Sequence, residues 1–279
     1  MNVILGIDIG GSTTKIVGLR EDGSLLSVLR VRAEDQLTSL YGALGNYLSS
    51  NHLSLQQVCQ VVLTGVGASF VDESIYGLPT RTVSEFSACG TGGLALSGAR
   101  EAVVVSMGTG TAFLWAAADG QVRHLCGSGV GGGTLRGLCH KLAGVEHFRQ
   151  FQELSAQGDL GKTDLQIRDI SRDPASTLTP DMTAANFGKL SSDASPADLA
   201  AGTVNLVLQS IGTMSVLACS SCKTDTAILT GSLATLPQTA QLAEDFRRLY
   251  GVKFIVPENA VFATAIGAAL CSLKGDPTR

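Results

Sequence analysis

The sequence predicts an α/β protein of two lobes, each built on a mixed sheet and related to the other by internal duplication. Three observations predict it. An apolar strand, a glycine turn and a second strand occur twice, over residues 3–17 around Gly10-Gly11 and over residues 102–115 around Gly108-Thr109-Gly110. A later buried strand in each half ends alike, in Leu63-Thr64-Gly65 and in Leu229-Thr230-Gly231. The 33 glycines exceed the usual share of roughly 7%, and they cluster between apolar strands, as ligand-facing turns do. The repeat is one of pattern rather than of letters.

The elements follow in order. After the first hairpin, Glu21-Asp22-Gly23-Ser24 is a turn and residues 25–31 continue as a third strand. Residues 35–50 carry helical spacing, with Leu37, Leu40, Tyr41, Leu44, Tyr47 and Leu48 on one side. Residues 58–63 read as a buried strand, followed by a short helix, a strand near Arg81-Thr82-Val83 and a helix from about Glu85. The second half starts over with strands at 102–107, 111–115 and 121–125. A long apolar-faced helix covers 199–218, a strand 226–229, a helix 238–250 and a strand 253–256. The stretch 134–196 interrupts this second copy as an insertion, the usual place to build specificity, and its part at 156–180 is polar enough to lie at the surface. A closing helix at 261–270 is rich in small residues, which permits close packing back onto the first lobe. The first lobe is therefore expected over 1–99 plus 260–275, and the second over 100–259.

With 279 residues, 44% of them hydrophobic, the chain is long enough for a sizeable core. A net charge of −4 with no basic run argues against a nucleic-acid partner. No stretch of about 18 apolar residues suggests a membrane span. The chain enters a core strand at once, and its seven cysteines (Cys59, Cys89, Cys126, Cys139, Cys219, Cys222, Cys271) are odd in number and scattered. A reducing cytoplasm with free thiols is expected.

Chemistry concentrates at the turns. Gly10 and Gly11 let backbone N–H groups approach an anion, Ser12 and Thr13 add hydroxyls, and Asp8 can hold a hydrated Mg²⁺. The hairpin lacks the P-loop pattern, and a plain Gly-Gly turn between core strands is the alternative reading. Gly108 and Gly110 would face the same phosphates from the other side. The run Gly127-Ser128-Gly129-Val130-Gly131-Gly132-Gly133-Thr134 can open a helix whose N-terminus meets nucleotide phosphates. For Lys15 two readings stand, phosphate neutralisation or a solvated strand lysine. Cys219-Ser220-Ser221-Cys222 lacks the second pair that a structural zinc site needs. His52, His140 and His147 are isolated and suit surface or packing roles.

Taken together, the hairpins, Thr230-Gly231-Ser232 and the small-residue helix resemble the signature segments of the acetate and sugar kinase, Hsp70 and actin superfamily. More narrowly, the chain resembles the bacterial type II pantothenate kinases. The segments that carry this are Ser84-Glu85-Phe86-Ser87-Ala88, Met107-Gly108-Thr109-Gly110-Thr111, Gly131-Gly132-Gly133-Thr134 with Gly137-Leu138, and Asp181-Met182-Thr183-Ala184-Ala185-Asn186-Phe187-Gly188. Gly158-Asp159, Thr163-Asp164-Leu165 and residues 263–268 also fit, so the matches run in order from residue 4 to residue 270.

The resemblance implies a ribonuclease-H-like (actin-like ATPase) two-lobed fold, a homodimer, and transfer of the ATP γ-phosphoryl group to pantothenate with Mg²⁺. It implies that Glu85 is the base, against the alternative of an ordinary acid at a helix N-terminus. It places Asp8, Gly10, Gly11, Ser12, Thr13, Lys15, Gly108, Gly110, Gly131, Gly132, Gly133 and Thr134 at the phosphates, Thr230, Gly231 and Ser232 near the nucleoside, and Thr109 near the acceptor. Many relatives carry an acceptor-contacting arginine where this chain has His124, with Arg123 one residue earlier. Adjacent strand residues face opposite ways, so either His124 takes a neutral hydrogen-bonding role or the acceptor differs. Two other readings remain: a kinase for a related alcohol, and an ATPase activator of the 2-hydroxyacyl-CoA dehydratase type. The latter would require an iron–sulfur cluster, for which no cysteine pair stands in the expected context.

Overall fold

The computed structural model describes residues 2–32, 35–71, 74–172 and 178–273. Residues 173–177 of the expected surface stretch and 274–275 of the expected first lobe lie outside the described residues.

The first half opens with β1 (Val3–Ile9), β2 (Thr13–Arg20) and β3 (Leu25–Arg32), an antiparallel meander. All seven residues of β1 are buried because the strand is covered on both faces. Val3, Leu5, Ile7 and Ile9 pack toward α1 (Gln36–Ser50), and Ile4 packs toward the C-terminal helix. Asp35 caps α1 by accepting from Thr38 N at 2.7 Å. The buried face of α1 is Leu40, Ala43, Leu44 and Tyr47; the expected stripe is narrower, because Leu37, in the first turn, is exposed. β4 (Val58–Thr64) lies parallel to β1, and β5 (Thr80–Thr82) parallel to β4, giving the order β3-β2-β1-β4-β5. α2 (Glu85–Ser97) closes the half.

The second half repeats this plan. β6 (Glu101–Met107), β7 (Thr111–Ala117) and β8 (Val122–Ser128) form the meander. The long helix α6 (Pro196–Cys222) stands where α1 stood, and β11 (Thr226–Thr230) and β12 (Lys253–Ile255) add the parallel strands. Their order β12-β11-β6-β7-β8 mirrors the first sheet. α6 is long and apolar enough to cross a membrane, yet more than half of its apolar window is buried, with Val204, Val207, Leu208 and Ile211 in the core of this half. α7 (Pro237–Tyr250) and α8 (Ala263–Leu273) complete the plan. The insertion holds α3 (Gly132–Ala143), α4 (Phe148–Ser155), α5 (Ile167–Ile170) and a two-stranded ribbon of β9 (Leu165–Gln166) and β10 (Thr183–Ala185).

α2 and α8 form the layer between the two sheets. α8 packs Ala265, Ala268 and Ala269 on the first sheet, while α2 packs Cys89 and Leu94 against Val104, Leu114 and Ile228 of the second. The helices cross at glycine: a Cβ on Gly92 would overlap Ala263 O, and one on Gly267 would overlap Ala88 O. Small residues at these four positions let the backbones touch, which the spacing of the closing helix predicts.

Candidate active site

Both hairpin tips are open to solvent, Gly11 and Ser12 in the first and Gly108 and Thr109 in the second. In the first, Gly10 N–H donates to Thr13 O at 3.1 Å, closing the turn, and Gly11 and Ser12 are exposed with open space around Gly11. Asp8 and Lys15 face each other across β1 and β2, and Lys15 Nζ reaches Asp8 Oδ2 at 2.8 Å. Asp8 is only 6% exposed. Of the two readings of Lys15, the solvated strand lysine therefore drops out, because its ammonium is tied to a buried carboxylate. Gly65 turns behind Asp8 at φ +88°, where a Cβ would stand 2.6 Å from Asp8 Oδ1. Thr64, paired with Asp8 across β1 and β4, is fully buried, and its Oγ1 has no hydrogen-bond partner.

Glu85 is the first residue of α2 and remains open to solvent at the cleft. Burial by the surrounding walls, and next the charge of Asp8, push its carboxyl above the ordinary carboxylate range, while Lys15 pulls it partly back. An acid that merely complements a helix dipole would be favoured in its charged form. The shift runs the other way because burial and Asp8 outweigh Lys15. One turn along α2, the buried thiol of Cys89 contacts Thr230 Oγ1 at 3.8 Å, joining the helix to the second half.

The second hairpin is a braced turn. Gly108 N–H donates to Gly110 O at 2.9 Å within it. Gly132 N–H donates to Gly108 O at 2.9 Å and Gly133 N–H to Thr109 O at 2.8 Å. Gly131 N–H is taken by Thr134 Oγ1 at 3.2 Å. The N–H groups of Gly131, Gly132 and Gly133, expected at the nucleotide phosphates, are thus directed at protein oxygens. The glycines are required by this contact, since a Cβ on Gly131 would lie 2.7 Å from Thr109 O and one on Gly132 2.9 Å from Gly108 O. What the brace leaves at the cleft is the exposed tip, Gly108 and Thr109.

Thr230 is also committed internally, its hydroxyl donating to Val105 O at 3.2 Å. Gly231 sits at φ +86°, and a Cβ there would meet Met107 O at 2.5 Å, so the position requires glycine. Gly231 and Ser232 remain partly exposed, and Ser232 opens a short 3-10 turn. Gly65 and Gly231 thus end equivalent strands in the same left-handed conformation.

β8 separates Arg123 from His124. Arg123 lies over Trp115 at 5.7 Å and reaches Cys222 Sγ at 3.6 Å, so the structure does not bring it to the cleft. His124 faces α2 and stacks on Phe86, with ring centroids 4.4 Å apart and planes at 1°. β8 is irregular, the register with β7 shifting between Phe113 and Leu114, but the irregularity falls beyond His124 and leaves the two side chains on opposite faces.

The segment 181–188 wraps around a buried acid. Asp164 is fully buried, and its Oδ2 accepts from Thr183 Oγ1 at 3.1 Å, Asn186 Nδ2 at 3.3 Å and Asn205 Nδ2 at 2.6 Å. Its Oδ1 accepts Phe187 N–H at 2.9 Å. Thr183 and Asn186 direct their polar atoms inward to this carboxylate. Sequence reasoning matched the segment without seeing its partner; an acid flanked by Thr163 and Leu165 inside a polar insertion was the available signal. Thr64 and Phe86 were also missed as site residues, although each adjoins one that was named.

Among the described residues, no three His, Cys, Asp or Glu side chains gather as a metal site. Asp8, with the unpartnered Thr64 hydroxyl beside it, is the position able to hold a hydrated cation.

Comparisons place the chain among known proteins. A model of the family described as Fumble matches residues 101–251. A type II pantothenate kinase of Staphylococcus aureus (strain USA300) is 29% identical over 275 residues, covering 95% of this chain and 97% of the relative. Among solved structures, the activator of the 2-hydroxyisocaproyl-CoA dehydratase from Clostridium difficile with bound ADPNP superposes with a TM-score of 0.69 at 18% identity, covering 98% of this chain and 94% of that one. A ROK family glucokinase from Streptomyces griseus in complex with glucose and AMPPNP gives a TM-score of 0.62 at 13% identity, over 98% and 100% of the two chains. These last two likenesses are of fold, and they match the two-lobed ribonuclease-H-like architecture that the family resemblance implies.

Proposed function

The chain belongs to the Fumble family, and from that premise we infer that it is a pantothenate kinase, transferring the γ-phosphoryl group of ATP to the primary hydroxyl of pantothenate in the first step of coenzyme A biosynthesis. The observation that carries the reading within the cleft is Glu85, raised in basicity and coupled to the Asp8–Lys15 pair. Phosphoryl transfer needs alignment, neutralisation of charge and a group to take the hydroxyl proton. Glu85 accepts that proton as the acceptor oxygen attacks the γ-phosphorus and the bond to the bridging oxygen of ADP breaks. The Gly10–Ser12 turn and the Gly108–Thr109 tip hold the phosphates from either side, with Gly231 and Ser232 toward the nucleoside. Lys15 adds positive charge at the first turn.

Mg²⁺ accompanying ATP would be held by Asp8 through water, with Thr64 Oγ1 as a further hydrogen-bonding partner for the hydration shell. The ion neutralises phosphate charge when bound. The unpartnered hydroxyl beside a carboxylate supports this fit. A cytoplasmic homodimer is the assembly we propose from the family resemblance.

Incubation with ATP, Mg²⁺ and pantothenate tests the reading; absence of 4′-phosphopantothenate beside an active control kinase overturns it. The activator reading rests on likeness of fold alone. No cysteine pair stands in the sequence context that its iron–sulfur cluster would need.

A further inference from the structure

Cys89 is a buried thiol one turn beyond Glu85 on α2, and on a helix residues four apart share a face. Four elements meet at it. Its Sγ lies 3.8 Å from Thr230 Oγ1 at the end of β11, and Ser106 of β6 and Thr264 in the first turn of α8 stand within its hydrogen-bonding reach. Ser106 and Thr230 are paired across their strands, so the thiol joins both at one point. Each adjoins a turn of the candidate site: Ser106 stands two residues before Gly108, and Thr230 directly before Gly231. The direction of the central hydrogen bond follows from the protons. A hydroxyl carries one hydrogen, and that of Thr230 goes to Val105 O at 3.2 Å, so toward Cys89 the Thr230 oxygen accepts and the thiol donates. Burial keeps the thiol protonated by raising its pKa; the three hydroxyls offset this in part, and the charge of Glu85 adds to the rise. The layer around the sulfur is apolar, with Val104, Leu114 and Ile228 in the same cluster.

We infer that Cys89 is a positioning residue: its thiol ties the first turn of α2 to the Ser106–Thr230 pair and so fixes Glu85 relative to the two turns of the second half. The inference rests on the kinase reading, in which Glu85 is the base. A base must meet its proton at hydrogen-bonding distance, and a displacement of about 1 Å can cost about 10²-fold in rate. The N-cap of α2, Ser84, makes no side-chain hydrogen bond to the helix. Among the described residues the thiol is therefore the first side-chain hydrogen bond along α2 from Glu85.

Steady-state kinetics with ATP and pantothenate test this on the full chain. C89A lowers kcat about tenfold or more, while the KM of both substrates stays within about twofold. The acidic limb of kcat/KM moves down in C89A, toward the ordinary carboxylate value, as water reaches Glu85. C89S keeps a donor among the same three hydroxyls and holds kcat within about threefold of wild type. T264V removes one partner at a half-buried position and leaves the apolar cluster intact; it lowers kcat about threefold, again without raising KM. Stability lost with kcat unchanged, a C89S defect equal to that of C89A, an unmoved acidic limb, or an effect that falls on KM overturns the inference while the kinase reading stands. A wild type that phosphorylates no pantothenate overturns both.

Discussion

Gly92 and Gly267 meet back to back where α2 crosses α8. A Cβ on Gly92 would lie 3.0 Å from Gly267 N, and one on Gly267 2.7 Å from Gly92 N. Each glycine is four residues beyond the small residue that its counterpart touches, Ala88 on α2 and Ala263 on α8. The internal duplication is thus expressed as a symmetric contact between the two helices that lie between the sheets.

That contact predicts a stability effect. Gly92→Ala or Gly267→Ala forces a methyl onto backbone that cannot rotate away, and each should destabilise by about 2–3 kcal/mol in denaturant unfolding. Gly45→Ala in α1, with nothing within 4 Å, is the control and should stabilise by about 0.5–1 kcal/mol. Equal behaviour of the three variants would show that the crossing is not tight.

Glu85→Gln should lower turnover by roughly 10²-fold or more, the scale of a lost general base. ATP binding, measured by calorimetry, should persist. Near-normal turnover removes Glu85 from the mechanism.

The raised pKa of Glu85 has a sign in two measurements. The base works ionised, so kcat/KM falls as pH drops through a value above the ordinary 4.5. Lys15 holds that value down, so Lys15→Met should move the acidic limb to higher pH, and an unmoved limb refutes the coupling. For stability, the fold favours protonated Glu85; this contribution is complete below the unfolded value and is lost as pH rises through the raised one. Glu85→Gln should therefore melt no lower than wild type at neutral pH.

Thr64→Val removes a hydroxyl that forms no hydrogen bond in the protein. Its unfolding free energy should be equal to or above that of wild type, because a buried polar group without a partner is unfavourable. The Mg²⁺ concentration giving half-maximal rate should nevertheless rise, by about threefold if one hydrogen bond to the hydration shell is lost. A large loss of stability with unchanged Mg²⁺ dependence would contradict both halves.

Asp164→Ala strips the acceptor from Thr183, Asn186, Asn205 and the Phe187 N–H together. A loss of about 3 kcal/mol or more is expected by thermal or urea unfolding. A loss below about 1 kcal/mol would mean that water replaces the carboxylate.

Much of this was readable in the residues. Apolar runs joined by glycine turns placed both meanders, and the helical spacing of Leu40, Leu44 and Tyr47 placed α1. The small residues of α8 announced a close crossing. What could not be read was where backbone donors go: the glycine run was expected to open toward a ligand, yet Gly131–Gly133 serve protein oxygens, a tertiary fact with no local signature. Arg123 and His124 were separable by strand alternation, but the aromatic partner of His124 lies on another element, 38 positions away (124 − 86 = 38). Likewise Asp164 and Asn205 are distant in sequence and meet only because α6 lies beneath the ribbon.

The brace between α3 and the second hairpin also bears on how such enzymes can be re-engineered. Two backbone hydrogen bonds and three glycines bind the second hairpin turn to the helix that opens the insertion. The two cannot be exchanged independently. A chimera that takes its insertion from another protein must import residues 108–110 with it, or the donor helix will present side chains where this turn offers only carbonyl oxygens.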